Sequence, residues 1–238
     1  MDTLLSTAQR ALSGDMDAEE LKQLAASLLG FAIIAGSFGL KLPQMFKIVS
    51  SKSVSGLSPL SFYLDAAVFA ISAVYNVLQG NEFSTYGESA VILVQNLVLV
   101  AMLWAYAQPR ISSAEIATVL LAGAALIGGM LVLPPEHRWI LPIATIPSAC
   151  AARIPQMVSN FANGHTGQLA LITYALNFLG SLARVFTTMA KVNDPLLVLG
   201  FVVGAVLNGV ILLQILAYWS NTSKVMAAEA RTRKNKSE

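Results

Sequence analysis

The stretch Lys41-Leu42-Pro43-Gln44 closes the first long apolar run of the chain, and its pattern of basic residue, apolar residue, proline and glutamine returns at Arg153-Ile154-Pro155-Gln156. The two copies lie 112 residues apart, and many other residues match at the same offset without an insertion. Matching pairs are Met45 with Met157, Leu57 with Leu169, Phe62 with Tyr174, Leu64 with Leu176, Asp65 with Asn177, Asn96 with Asn208, Val98 with Val210, Ala105 with Ala217 and Tyr106 with Tyr218. A constant offset over this length predicts an internal duplication with roughly seventy residues in each repeat.

The composition is typical of a membrane protein. Of the 238 residues 55% are hydrophobic and 12% are charged, the mean hydropathy is +0.65, and the charges lie between long uncharged runs. Such runs predict a polytopic membrane protein. Cys150 is the only cysteine, so an intrachain disulfide is excluded. Acidic residues between Asp15 and Glu20 precede the first apolar run, where a cleavable signal peptide would carry basic ones, so we expect the first membrane helix to be retained.

Prolines, glycines and charged loops divide the chain into seven predicted membrane spans. They cover approximately residues 23–40, 57–78, 89–106, 116–133, 139–158, 168–190 and 195–219. Only fourteen residues separate Arg138 from Arg153, about 21 Å of helix against a hydrocarbon core of about 30 Å. We therefore expect one helix that carries Arg153 near the membrane interface and is bent or broken by Pro142, Pro147 and Pro155. The predicted fold is an all-α membrane protein with seven transmembrane helices, in which a linker helix joins two three-helix repeats.

The basic residues predict the orientation in the membrane. With the N-terminus outside, ten lysines and arginines lie on the inner side and four on the outer side, as the enrichment of basic residues in cytoplasmic loops requires. The inner ten are Lys41, Lys47, Lys52, Arg110, Arg153, Lys224, Arg231, Arg233, Lys234 and Lys236, and the outer four are Arg10, Lys22, Arg138 and Lys191. Seven spans also predict parallel repeats, related by an axis along the membrane normal, with both Pro-Gln corners on the cytoplasmic side.

Four segments of the chain carry a family resemblance. They are Lys41–Ile48, Asn163–Leu169, Gly180–Thr187, and Asn208-Gly209 followed by Tyr218-Trp219. Together they resemble the mannose-phosphate-dolichol utilisation defect 1 protein family, a member of the PQ-loop superfamily, whose fold is related to that of the SWEET-type sugar carriers. The resemblance implies a protein of the endoplasmic-reticulum membrane that is required for the use of dolichol-phosphate-mannose and dolichol-phosphate-glucose in lumenal glycosylation, including N-glycan precursor and GPI-anchor synthesis.

The C-terminal tail independently favours the same compartment. Lys234 and Lys236 lie five and three residues from the C-terminal end, the spacing of a dilysine retrieval signal, which is read from the cytosol. We therefore expect a lumenal N-terminus and a cytosolic C-terminus. The predicted organisation is a lumenal N-terminal segment (1–22), a first PQ-loop repeat (23–107), a linker helix (108–138), a second PQ-loop repeat (139–220) and a basic cytosolic tail (221–238).

Polar residues recur within the predicted spans at helical spacing, although polar groups are disfavoured in lipid and normally face a protein interior. The second span carries Ser58, Ser61, Asp65, Ser72, Asn76 and Gln79, the sixth carries Tyr174, Asn177, Ser181, Arg184 and Thr188, and Asn96 and Asn208 occupy equivalent places in the third and seventh. Two such stripes predict a central polar cavity. The predicted substrate-binding residues are Asp65, Asn96, Asn177, Arg184 and Asn208.

Each of these residues also has a structural interpretation. Asp65 could couple protons or bind a sugar hydroxyl, or it could only hold neighbouring helices together. Asn96 and Asn208 have the donors and acceptors that sugar hydroxyls require, but asparagine also joins membrane helices. Arg184 could bind the phosphate of a dolichol lipid in a bidentate pair, or it could extend to the membrane interface.

The two corners themselves are predicted to be hinges or fixed bends. Pro43 and Pro155 free backbone carbonyls, and Gln44 and Gln156 are placed to supply hydrogen bonds there. We find no cluster with metal-ligand spacing, no nucleophile–base pair and no phosphate loop in the sequence. We therefore expect no enzymatic activity, no metal and no cofactor.

Three mechanisms are compatible with the sequence. The protein could bind or move the lipid-linked sugar itself, with membrane lipid and dolichol-phosphate-linked sugars as its ligands. It could instead be an assembly factor or adaptor for glycosyltransferases of the endoplasmic reticulum. It could also carry a small soluble solute, such as a sugar or an amino acid, as other PQ-loop proteins do. Nucleic acid is not an expected partner.

Overall fold

The computed structural model describes residues 16–237 apart from Gly56, Gln168, Ala170 and Asn193, and it describes residues 229–237 by their backbone alone. Within this range the chain is helical, which confirms the predicted all-α class. The helices are α1 (Ala18–Ser37), α2 (Leu42–Ser51), α3 (Pro59–Leu78), α4 (Phe83–Tyr106), α5 (Ser113–Val132), a short 3-10 helix (Pro135–His137), α6 (Ile140–Asn163), α7 (Leu171–Lys191), α8 (Pro195–Ala217) and α9 (Trp219–Ser237). Most of the predicted segment 1–22 lies outside the described residues.

Five helical segments of the described chain are long and apolar enough to cross a membrane. They are Ala18–Ser51, Pro59–Leu78, Phe83–Tyr106, Ser113–Val132 and Pro195–Ala217. Helices α6 and α7 have 24 and 21 residues, which are comparable lengths. These two helices are less apolar than the five candidate spans, because α6 contains Arg153 and two prolines in its interior and α7 contains Arg184. The protein is a multi-pass membrane protein.

The described chain forms two compact units, and their boundary falls inside α6 and α7. The first unit runs to Thr145 and includes Thr187–Asp194, and the second comprises Ile146–Phe186 and the residues from Pro195 onward. In the first unit α4 packs against α1, α2 and α3, and α5 packs against α3. Helix α4 is therefore the centre of the first unit, and its buried side chains include Gln95, Asn96 and Leu99.

The first Pro-Gln corner is a break between two helices. Helix α1 ends at Ser37, and α2 begins at Leu42 with Pro43 in its first turn, where the missing N–H of proline is tolerated. Gln95 of α4 closes the break, since its Nε2 donates to the Ser37 carbonyl at 2.9 Å and its Oε1 accepts from the Lys41 N–H at 3.1 Å. An apolar cluster supports the corner, formed by Ile48, Phe62, Leu99, Val100 and Leu103.

The second corner is built differently, because α6 runs without a break from Ile140 to Asn163 through Pro147 and Pro155. A chain of amides replaces the apolar cluster there. Gln156 Nε2 donates to Asn160 Oδ1 at 2.7 Å, Asn160 Nδ2 donates to Gln214 Oε1 at 2.9 Å, and Gln214 Nε2 donates to the Met157 carbonyl at 2.9 Å. In the first repeat the residues equivalent to Asn160 and Gln214 are Ile48 and Met102. The two repeats therefore stabilise the same corner with different chemistry.

One glycine in α1 lets two helices of the first unit approach closely. A Cβ atom at Gly30 would lie 2.5 Å from the backbone oxygen of Ser84 in α4, whereas a Cβ atom at Gly36 would meet nothing within 4 Å. Small residues allow this kind of backbone contact between membrane helices. Of the glycines in the first span, Gly30 is the one that makes the contact with α4.

Candidate functional site

In the first unit the corner carries an ion pair. Lys41 Nζ lies 3.1 Å from Asp65 Oδ2 of α3, and the Lys41 side chain is 22% exposed whereas that of Asp65 is 49% exposed. Asp65 is thus bound to the basic residue of the Pro-Gln pattern. This arrangement matches the structural interpretation of Asp65 and also brings a titratable carboxylate and an ammonium group to one place.

In the second unit the equivalent basic residue contacts a different group. Arg153 Nε donates to Asn208 Oδ1 at 2.9 Å, and Asn208 Nδ2 donates to Ser181 Oγ at 3.2 Å. Ser181 in turn donates to the carbonyl of Asn177, whose own side chain is exposed. Asn208 is 2% exposed, so its amide is a buried and fully engaged connector between α6, α7 and α8.

Asn96, the equivalent of Asn208 in the first repeat, is 0% exposed. Neither its Oδ1 nor its Nδ2 has a hydrogen-bond partner among the residues that the structure describes. The hydroxyl of Thr188, which is also 0% exposed and belongs to the same unit, is likewise unpartnered within the described chain. Buried polar groups in native proteins are nearly always hydrogen-bonded, so the unpaired Asn96 amide is a candidate contact for a ligand.

Arg184 of α7 is buried, with 3% of its surface exposed. A side chain that extended to the membrane interface would be considerably more exposed, so the burial favours an internal role for this guanidinium group. A buried arginine normally faces an anion or several hydrogen-bond acceptors.

The residues of the two Pro-Gln corners differ in their surroundings. Pro43 and Pro155 are exposed, and Gln44 is half-buried. Gln156 begins the amide chain of the second corner. Within the described part of the chain no group of three or more His, Cys, Asp or Glu side chains stands close enough to hold a metal ion. The predicted meeting of the two polar stripes in one cavity stays a prediction.

A second polar cluster lies in the first unit, at the end of α3 and the start of α4. Tyr75 donates its hydroxyl to Asp194, Gln79 Nε2 donates to the Tyr75 hydroxyl at 3.2 Å, and Lys191 pairs with Glu82. Sequence reasoning missed this cluster, although the repeat register contains a signal for it. Position 82 is equivalent to 194 and position 79 to 191, so the two acidic groups are themselves a repeated pair.

The hydrogen bond from Lys191 lowers the pKa of Glu82 below its ordinary value of 4.5, and this effect outweighs partial burial, which raises the pKa. A carboxylate whose pKa is lowered in the native state stabilises that state above its ordinary pKa. The stabilisation is lost as the pH falls through the lowered value. Because the Glu82 side chain is 66% exposed, solvent screening keeps the effect small.

We therefore expect the melting temperature of the wild type to fall more steeply below pH 4.5, the ordinary pKa of this carboxyl, than that of Glu82→Gln. The measurement is thermal unfolding in detergent over a series of pH values. Glu136→Gln is the matched control, because Glu136 is exposed in the 3-10 helix and its substitution should leave the wild-type profile intact. Parallel profiles for the wild type and Glu82→Gln would contradict the assignment.

The two repeats, their Pro-Gln corners and their buried polar side chains define a helical membrane protein of duplicated three-helix units. The PQ loop repeat family matches residues 25–85 and 138–197, which make up just over half of the chain, and the chain belongs to this family.

Two similar proteins cover most of the chain. The human protein solute carrier family 66 member 3 is 26% identical over 202 residues, which are 82% of this chain and 96% of that protein. The solved structure of a eukaryotic SWEET transporter has a TM-score of 0.69 and 14% sequence identity, and the match covers 86% of this chain and all of that one. The structural likeness confirms the predicted SWEET-like fold.

Proposed function

We propose that the protein is a membrane carrier for a polar solute without net charge, and that Asn96 is a principal contact for that solute. The observation that carries the proposal is the Asn96 amide, which is fully buried and has no partner for either polar atom among the described residues. Leaving such a group unpaired costs about 1–3 kcal/mol. A solute that offers both a donor and an acceptor recovers this energy on binding.

The chemistry of the amide indicates the class of solute. An asparagine side chain presents one acceptor oxygen and two N–H donors, a set that matches a hydroxyl pair of a sugar or the polar groups of an amino acid. The similarity to a human solute carrier, together with the fold shared with a SWEET transporter, supports movement of a solute across the membrane.

Uptake into proteoliposomes tests this proposal. Vesicles that contain the purified protein should take up radiolabelled hexose or a neutral amino acid above the level of protein-free vesicles. Asn96→Leu should lower the rate of uptake by about tenfold or more, equivalent to about 1.4 kcal/mol of lost binding. Val94→Leu is the control, since Val94 lies on the same helix and is 62% exposed. Absence of uptake for every solute, or full uptake by Asn96→Leu, would refute the proposal.

A second candidate is the binding or movement of dolichol-phosphate-mannose in the endoplasmic-reticulum membrane, with a lumenal N-terminus and a cytosolic C-terminus. Two observations favour it: the segments that resemble the mannose-phosphate-dolichol utilisation defect 1 family, and the buried guanidinium of Arg184. Arginine pairs with phosphate through two parallel hydrogen bonds and is therefore suited to a lipid phosphate in a dry site.

Complementation separates the candidates. In cells that cannot use dolichol-phosphate-mannose, the intact protein should restore mannosylation if the second candidate is correct, and Arg184→Ala should not. Arg184→Lys keeps the charge but loses the two-pronged geometry, so it should restore mannosylation only in part. Failure of the intact protein would refute this candidate, and equal rescue by Arg184→Ala and Asn96→Leu would favour an adaptor for glycosyltransferases instead.

A further inference from the structure

The first unit contains an apolar groove between α3, α4 and α5 that the proposed function does not use. Its volume is about 510 Å³. The walls are formed by small residues, with Ala66, Ala67 and Ala70 on α3 and Ala122, Gly123 and Ala124 on α5. Larger side chains of α4, among them Leu93 and Leu97, form the floor. Small residues on both walls leave space between α3 and α5.

The groove lies at membrane depth. Helix α5 is a candidate membrane span, and only 6% of its most apolar window is buried inside the protein. Leu120 on its wall is 59% exposed, and Leu64 and Leu97 across the groove are 54% and 53% exposed. Surfaces of this kind face hydrocarbon in a bilayer, and an empty slot would forfeit the dispersion contacts of every lining atom. In a bilayer such a groove is therefore accessible to lipid.

Two of the residues that line the groove, Tyr63 and Trp104, form a polar group with the neighbouring Glu115. Tyr63 donates its hydroxyl to Glu115 Oε1 at 3.1 Å and accepts from Trp104 Nε1 at 2.9 Å, and both aromatic residues line the groove. Tyr63 lies in the first turns of α3, Trp104 in the last turn of α4 and Glu115 in the first turn of α5, so the three meet at one membrane face. Tyrosine and tryptophan are typical of that depth.

The polar end is selective by charge. The single donor of Tyr63 and the single donor of Trp104 are already used, while the Glu115 carboxylate keeps acceptor capacity on its second oxygen. Among the described residues that line the groove, none is basic. A phosphate head group would be repelled by the carboxylate, whereas a neutral hydroxyl could donate to it. The polar end therefore favours a neutral lipid with a hydroxyl head group, and the small residues of the two walls leave room for a flat, stiff apolar body.

We propose that the groove between α3, α4 and α5 is a binding site for one sterol molecule, with the sterol hydroxyl donating to Glu115 beside Tyr63 and Trp104. The ring system lies between the alanine and glycine walls, for which a flexible acyl chain would lose more conformational entropy on binding. The site is separate from Asn96 and does not depend on the solute that the protein carries.

Photolabelling tests the proposal. Purified full-length protein is reconstituted in phosphatidylcholine vesicles with a photoreactive cholesterol analogue, and labelled peptides are mapped by mass spectrometry. The expected labels lie in Pro59–Leu78 and Ser113–Val132. Excess cholesterol should remove them, whereas 3-epicholesterol, whose hydroxyl points the other way, should compete about tenfold less well, equivalent to one lost hydrogen bond to a charged group.

Two substitutions on α5 provide a matched pair. A Cβ atom would meet nothing within 4 Å at either Gly123 or Gly128, so leucine fits at both positions, but only Gly123 lines the groove. Gly123→Leu should lower labelling by about tenfold, and Gly128→Leu should leave it unchanged. Glu115→Leu should remove the discrimination between cholesterol and its epimer.

Three results would overturn the proposal. The first is equal labelling of Gly123→Leu and Gly128→Leu, which would place the sterol elsewhere. The second is equal competition by cholesterol and 3-epicholesterol, which would indicate partition into lipid without recognition of the hydroxyl. The third is competition by diacylglycerol or a polyprenol as strong as that by cholesterol, which would assign the groove to another neutral lipid.

Discussion

Asn208→Leu is expected to lower the free energy of unfolding by about 1–3 kcal/mol, whereas Asn96→Leu is expected to leave it unchanged or to raise it. The two positions are equivalent in the repeat, both side chains are buried, and the change from asparagine to leucine keeps the branching and adds the same volume at both positions. A difference in the response therefore reports on hydrogen bonding rather than on packing.

The physical reason is the number of partners. Asn208 accepts from Arg153 at 2.9 Å and donates to Ser181 at 3.2 Å, so its replacement leaves a guanidinium N–H without its acceptor. Asn96 has no partner for its amide within the described chain, so leucine removes only buried polar atoms that nothing satisfies. Removing one partner of a pair is costly, and removing an unpaired group is not.

Thermal unfolding of purified variants in detergent measures both effects. Val94→Leu and Val206→Leu are the controls, because these valines are equivalent in the repeat, lie on the same helices as the two asparagines and are 62% and 58% exposed. Their melting temperatures should match that of the wild type. Equal destabilisation by Asn96→Leu and Asn208→Leu would mean that Asn96 is a structural connector too, and it would remove the basis for its proposed role in binding.

Gly30→Ala is expected to destabilise the protein by about 1–3 kcal/mol. The added methyl group would lie 2.5 Å from the backbone oxygen of Ser84, a separation that Cβ atoms essentially never show. A backbone carbonyl within a helix cannot rotate away, so α1 and α4 have to separate along this contact. The loss therefore comes from the packing of two helices of the first unit and not from one side chain.

The gain in helix propensity from glycine to alanine opposes this loss by up to about 1 kcal/mol. Gly36→Ala is the control for this gain in helix propensity, because Gly36 lies on the same helix and a Cβ atom there meets nothing within 4 Å. The difference between the melting temperatures of the two variants isolates the clash with Ser84. If Gly30→Ala proved as stable as Gly36→Ala, the close approach of α1 and α4 would be refuted.

The repeat register predicted much of the fold. A constant offset of 112 residues predicted two three-helix repeats joined by a linker helix, and the helix ends at Leu78, Tyr106 and Ala217 lie within two residues of the predicted span ends. The fifth span was predicted as one helix that is bent or broken by its prolines, and α6 is a single helix from Ile140 to Asn163. Pro147 and Pro155 do not break it, since a helix tolerates proline where its other hydrogen bonds and its packing persist, and a bend stays a prediction.

The sequence predicted which helix faces carry the candidate site residues, but not the hydrogen-bond partners of their side chains. Periodicity places Asn96 and Asn208 at equivalent positions, but the partner of each amide depends on the reach and angle of the basic residue at the corner. Lys41 forms an ion pair with Asp65, whereas the longer guanidinium side chain of Arg153 donates a hydrogen bond to Asn208. The hydrogen bonds of Gln95 across the first Pro-Gln corner could not be predicted from the repeat, because the equivalent residue in the second repeat is Leu207.

The amide chain of Gln156, Asn160 and Gln214 constrains how the two halves of the gene could diverge. Its first-repeat counterparts at the last two positions are Ile48 and Met102, and a methionine at position 214 would leave the buried Nδ2 of Asn160 without its acceptor. Single substitutions between the two forms thus pass through a less stable protein. The apolar and the amide corner are therefore alternatives, and we expect one to replace the other without loss of stability only when both positions change together.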